Sequence, residues 1–157
     1  MAYPVPAHIR PATPADMEAV WLLVKELAVF EKAPEEVVTT PDTYRQWYAE
    51  GVFDCLVAEL DGNIVGIALY YSAFSTWKGK MLYLDDLIVT KKHRGKGIGT
   101  QLLTHFIHTA RLKGANIVKW QVLDWNKEAI TFYEKMGAII EKDWWNVKFF
   151  VQKRAKP

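Results

Sequence analysis

The chain has 157 residues, half of them apolar, and its 20 Lys and Arg stand against 18 Asp and Glu for a formal net charge of +2. That size builds one compact domain over residues 1–157 and leaves no room for a second. The near balance of charge excludes a polyanion-binding surface spread over the molecule, so any basic site is local, and no apolar stretch reaches the ~18–20 uncharged residues of a membrane span.

In chain order, the Pro-rich first seven residues lack a signal-peptide core, which predicts a cytoplasmic protein with no membrane partner, and they read with Lys153 to Pro157 as loose ends. A short strand start at His8-Ile9-Arg10 precedes Thr13-Pro14-Ala15-Asp16, where a cap, a proline and an acid open a helix. Met17, Val20, Leu23, Val24 and Leu27 recur at helical spacing and carry it to about Phe30. Thr40-Pro41-Asp42 opens a second, short helix that stops near Gly51.

From Phe53 the pattern turns to strands. Phe53 to Leu60 and Ile64 to Phe74 flank the turn Asp61-Gly62-Asn63 as a hairpin, with Cys55 a buried, inert thiol that has no disulfide mate and no metal spacing. Met81 to Val89 is a third strand, apolar apart from Asp85 and Asp86. A helix from Ile98 to Lys113 closes at Gly114, Ile117 to Leu123 is a strand, and a helix capped by Asp124 or Asn126 runs through Met136 to Gly137. Two strands, Ala138 to Lys142 and Asn146 to Val151, complete the order β-α-α-β-β-β-α-β-α-β-β. Hairpins mixed with strand-helix-strand crossovers predict an α/β fold of α+β type, with a mixed, twisted sheet covered by helices.

The most informative segment is Arg94-Gly95-Lys96-Gly97-Ile98-Gly99-Thr100, between a buried strand and a helix. Backbone N–H groups at a helix N-terminus converge on one point and favour a phosphate or pyrophosphate, and glycine lets such a ligand approach. Arg94 and Lys96, after Lys91, Lys92 and His93, supply the local basic patch that a nearly neutral protein needs for a polyanion. The spacing is neither a Walker A loop nor the dinucleotide fingerprint G-x-G-x-x-G.

Arg94-x-x-Gly97-x-Gly99 resembles the acyl-CoA signature of the GNAT acetyltransferase superfamily, and the element order is similar as well. The likeness covers almost the whole chain, starting with Ile9-Arg10-Pro11-Ala12-Thr13. Phe30-Glu31-Lys32, Ser75-Thr76-Trp77-Lys78-Gly79-Lys80, Leu82-Tyr83-Leu84-Asp85-Asp86 and Leu123-Asp124-Trp125-Asn126 resemble the diamine acetyltransferases, both the spermidine/spermine and the thialysine branches. The resemblance implies the GNAT fold, with about six to seven strands and about four helices, and acetyl-CoA as co-substrate with no metal. It implies that Leu87, Ile88 and Val89 present backbone groups to the pantetheine arm and that Arg94 and Gly95 through Thr100, including Lys96 and Ile98, hold the pyrophosphate. Asn126 and Ala129 would complete the cofactor contacts. Tyr133 would protonate the departing thiolate. Related enzymes are homodimers, and the Trp- and Phe-rich C-terminal strands suggest a partner surface.

An aliphatic ammonium has a pKa near ~10 and must lose a proton before its nitrogen attacks a thioester. Carboxylates both attract the cation and accept the proton. Successive strand residues face opposite sides, so at most one of Asp85 and Asp86 faces the amine unless a bulge intervenes. The resemblance assigns that role to Asp85, at a position where the family normally carries Glu, and Asp86 is itself expected to hydrogen-bond backbone in the sheet. It lines the amine channel with Phe30, Glu31, Lys119, Trp120, Gln121 and Asp143. Lys119 and Ser75 tilt the expectation away from long polyamines and towards a small diamine or a lysine analogue. The alternatives are a protein or peptide lysine acetyltransferase and a non-catalytic acyl-CoA sensor; a nucleic-acid module lacks the aromatic-basic stripe it needs.

Overall fold

Arg10 ties the first three elements together in a computed structural model that describes residues 6–152. It lies on β1 (His8–Pro11), donates from Nε to Glu59 on β2 (Asp54–Leu60) at 3.0 Å, and pairs with Asp16 at 2.7 Å. Asp16 also accepts the Thr13 N–H at 2.8 Å and the Thr13 hydroxyl at 3.1 Å, so Arg10 and Thr13 converge on one carboxylate and hold it below the usual carboxylate range, Arg10 above all. The helix expected at Thr13 therefore begins with a single 3-10 turn, Pro14–Asp16, before α1 (Met17–Phe30). The second start signal gives α2 (Pro41–Ala49), where the Thr43 N–H donates to Thr40 Oγ1 at 3.2 Å. The ends expected to be loose, residues 1–5 and 153–157, lie outside the described residues.

The described residues fall into two compact units divided between Trp120 and Gln121. The first holds a mixed five-stranded sheet in the order β1-β2-β3-β4-β5, with β3 at Asn63–Ser75, β4 at Gly79–Val89 and β5 at Ile117–Lys119. The first three pairings are antiparallel and β4 with β5 is parallel. On one sheet face Val57, Ile67, Leu69 and Ile88 form a core with Met17, Val20 and Leu23 of α1 and with Phe53, whose ring meets Tyr44 and Tyr48 of α2. Cys55 belongs to this core, only 3% exposed, as expected of a buried thiol, and burial pushes its thiol up.

The other face is covered by α3 (Ile98–Leu112), whose Ile98, Leu102, Leu103, Phe106 and Ala110 are buried. Phe106 meets Tyr70 of β3 at 5.2 Å between ring centroids. The start of α3 sits close to the sheet because Gly66 has no side chain: a Cβ there would lie 3.0 Å from the Ile88 carbonyl oxygen and 3.0 Å from Leu102 Cδ1.

The second unit contains α4 (Lys127–Lys135), which ends near Gly137 in the left-handed region as expected. The two closing strands expected at 138–142 and 146–151 do not form, so the described sheet has five strands rather than six or seven. A strand exists by its ladder, and residues 138–152 have no ladder partner among the described residues. Their apolar side chains stay exposed, from Ile139 to Trp145, Val147, Phe149 and Val151. The strand expected at 117–123 is likewise shorter, ending at Lys119 where its pairing with β4 stops at Tyr83.

Candidate active site

Past Tyr83, β4 pairs with β3 alone among the described residues, so the stretch that carries Leu87, Ile88 and Val89 has one edge on which none of them forms a strand. After Val89 the chain makes a 3-10 turn at Lys91–His93, passes Arg94 and enters the glycines. Gly95 and Gly97 have φ of 73° and 80°, a region L side chains avoid, and they turn the backbone so that α3 starts at Ile98. The Gln101 N–H donates to the Gly97 oxygen at 3.1 Å, while the N–H groups of Ile98, Gly99 and Thr100 have no main-chain acceptor among the described residues. A Cβ on Gly95 would meet nothing within 4 Å. Donors without a main-chain acceptor and the adjoining Lys91, Lys92 and Lys96 fit a pyrophosphate.

Arg94 is already engaged by protein. Its Nε donates to the Val89 oxygen at 2.9 Å, its Nη2 lies 3.8 Å from Glu26 Oε1, and its guanidinium sits 5.1 Å from the centroid of the Phe30 ring. Phe30, expected as a wall of the amine channel, thus also packs against the side chain that opens the glycine-rich turn. Sequence reasoning missed Glu26. The signal available was its spacing, four residues before Phe30 and on the same helical face.

The acids are brought together by a break in register. Tyr70 stands opposite Leu84, whereas Leu69 stands opposite Asp86, so Asp85 is an extra residue in β4 with no partner on β3. The bulge reverses the alternation. Asp85 follows Tyr83 onto the face that α1 and α2 cover, and Asp86 shares that face with Leu69 instead of the α3 face of Leu84. The expectation that Asp86 merely bonds backbone is corrected here: it faces the same region as Asp85.

The electrostatics agree with that placement. Asp85 is open to solvent on one side, yet the protein on the other raises its carboxyl above the usual range. Burial, then Asp85 and Glu31, push Asp86 up to about 7; burial, then Asp85, raise Glu31. Tyr44, Tyr71 and Tyr83 are raised as well, first by burial and then by charges that include Asp85. Tyr71 and Tyr83 stack at 5.3 Å. Among the described residues no ion pair joins Glu31, Asp85 or Asp86 to a cationic side chain, and no three His, Cys, Asp or Glu groups could hold a metal ion. Lys119 pairs in register with Tyr83, two residues ahead of Asp85, and Trp120 closes the unit.

The remaining candidates belong to the second unit. Asn126 caps α4 by accepting the Ala129 N–H on Oδ1 at 3.3 Å, so these two expected cofactor contacts are bonded to each other. Tyr133 lies on α4 with its ring 5.5 Å from that of Phe132. Gln121 Nε2 donates to Asn146 Oδ1 at 2.6 Å, and Asp143 is exposed within the unpaired segment.

Comparison with known proteins adds three findings. The model of the acetyltransferase (GNAT) family matches residues 21–138. Mouse thialysine N-epsilon-acetyltransferase is 36% identical over 153 residues, covering 88% of each chain, and a human spermidine/spermine N(1)-acetyltransferase-like protein is 33% identical over 84% of this chain and 20% of its own. Among solved structures, an aminoglycoside acetyltransferase from an uncultured soil metagenomic sample superposes with a TM-score of 0.77 at 19% identity, over 93% of this chain and 97% of that one. That likeness concerns the fold.

Proposed function

From the premise that the chain belongs to the GNAT acetyltransferase family, and so is an N-acetyltransferase, we propose that it transfers the acetyl group of acetyl-CoA to a small cationic primary amine. The observation that carries the amine is the set of carboxyl groups on Glu31, Asp85 and Asp86, which face one region of the first unit with no cationic side chain paired to them among the described residues. Family members use acetyl-CoA as co-substrate, and the free N–H groups of Ile98, Gly99 and Thr100 with Lys91, Lys92 and Lys96 would hold its pyrophosphate. Leu87, Ile88 and Val89 would offer backbone groups along the open edge of β4.

The thioester supplies the acetyl group, and this chain's residues manage charge and protons. The carboxylates attract the ammonium and take its proton, with water between Asp85 and the nitrogen because Asp is one methylene shorter than Glu. Both substrates are bound at once, so the nitrogen attacks directly and no enzyme nucleophile is needed. Tyr133 gives a proton to the leaving sulfur. Within the first unit Phe30 and Trp120 line the amine path and Lys119 disfavours a second ammonium near Tyr83, and the family resemblance adds Gln121 and Asp143 as amine contacts. A lysine analogue or short diamine fits this pattern better than spermine, in keeping with the activity named for the mouse relative.

The exposed apolar residues of 139–151 support a homodimer in which that segment is covered by a second copy. Among the described residues no helix is long and apolar enough to cross a membrane, and a cytoplasmic site of action completes the proposal. The test is a CoA-thiol release assay with acetyl-CoA and a panel of thialysine, lysine, short diamines, spermidine, aminoglycosides and tryptic peptides. Turnover concentrated on small amines is the expected result. Peptides outcompeting every free amine would overturn the substrate class, and CoA binding without turnover of any amine would make the protein a sensor.

A further inference from the structure

Glu26 is half-buried on α1 and reaches across to the turn between β4 and the glycines. Its carboxylate accepts the Thr90 hydroxyl at 3.0 Å and the Lys91 N–H at 2.9 Å, and Arg94 Nη2 lies 3.8 Å away. Three successive parts of the chain between β4 and the glycines are thereby fixed to one side chain on a different element. Phe30, one helical turn further along the same face, supports the other side of the Arg94 guanidinium.

We infer that Glu26 is a positioning residue for acetyl-CoA: it holds the Thr90–Arg94 turn so that the N–H groups at the start of α3 meet the pyrophosphate already aligned. The inference rests on the reading that this turn binds the cofactor. Glu26 touches no ligand and acts through Thr90, the Lys91 amide and Arg94. The carboxylate is needed twice, because an amide oxygen replaces its acceptor role towards Lys91 but not its charge towards Arg94. Without it, the Arg94 side chain keeps the Val89 carbonyl and the Phe30 ring among the described residues, and the turn samples arrangements in which the α3 donors are misaligned.

Two readouts test this in the full chain, hydrogen exchange of the Lys91 amide without ligand and calorimetric titration with CoA. Glu26→Ala is expected to accelerate Lys91 exchange and weaken CoA binding roughly tenfold, while kcat at saturating acetyl-CoA stays within about twofold. Glu26→Gln keeps most of the exchange protection and weakens CoA about threefold. Should the alanine variant fail to fold, Glu26→Gln and Thr90→Val carry the test, each with weaker CoA binding expected. CoA affinity unmoved in both overturns the inference alone. Wild-type protein that binds no CoA, while Lys91 exchange still depends on Glu26, overturns the cofactor reading and the inference with it.

Discussion

Leu69 on β3 faces Asp86 on β4, although an unbroken ladder running back from the Tyr70–Leu84 pair would set Asp85 there. This one-residue offset turns two adjacent acids, which a regular strand would separate, towards the same region as Glu31 and Tyr44. The site's charge is thus a property of strand register as much as of composition.

Asp86 titrates at about 7 in the folded protein, well above its unfolded value. The folded state keeps a proton that the unfolded chain releases near pH 4, so stability falls as pH rises from about 4 to about 7. Asp86→Asn is expected to be more stable than wild type by roughly 2 kcal/mol near pH 8, with the difference vanishing near pH 4, in denaturant titrations. If ionised Asp86 attracts the amine, kcat/KM rises through about pH 7 in the wild type, and the variant lacks that limb.

Asp16 shows the opposite sign. Arg10 depresses its folded pKa, so its contribution is present above the unfolded value and disappears as pH falls through the folded one. Asp16→Asn should lower stability by about 1–2 kcal/mol at neutral pH, with the gap closing in acid as the folded carboxylate takes up its proton. A constant gap across that range would show that charge plays no part.

Gly97 starts α3 from the left-handed region. Gly97→Ala should cost about 1–2 kcal/mol in thermal unfolding. Gly97→Glu adds a negative charge where the pyrophosphate is proposed to sit, and CoA affinity should drop more than ~10-fold. Unchanged affinity would remove the turn from the cofactor site.

Tyr133 acts only on the leaving group in the proposed mechanism. Tyr133→Phe should lower kcat about 10- to 100-fold and move the acetyl-CoA KM by less than about twofold. Turnover at the wild-type rate with any amine would show that sulfur leaves unaided.

Lys119 is paired with Tyr83 at the near end of the acid-bearing half of β4. Lys119→Glu should raise kcat/KM for spermidine several-fold relative to thialysine, leaving the acetyl-CoA KM in place. An unaltered ratio would place the origin of substrate preference elsewhere.

Much of this was legible in the sequence because it is local. Thr40 and Asn126 announce helix starts through their side-chain caps and Gly97 through its backbone, and α1, α3 and the β2–β3 hairpin follow from periodicity. The bulge at Asp85 was not readable, since it is a mismatch between two strands and leaves no mark on either alone. Glu26 was hidden for the same reason: its partners lie 64 and 65 residues away. The strands expected at 138–142 and 146–151 have the right alternation, yet alternation specifies a face and not a neighbour, and no neighbour pairs with them among the described residues.

The offset in β4 also separates what the sheet needs from what the site uses. Leu84 and Asp86 already occupy consecutive rungs opposite Tyr70 and Leu69, so a chain lacking residue 85 would still close the ladder and keep Asp86 through Val89 on their present faces. Asp85 is the one position in that strand that can be deleted in principle without shifting the register of its neighbours. A deletion variant would therefore keep the scaffold and lose a carboxylate, which makes residue count, and not only residue type, a variable through which this fold can gain or shed chemistry.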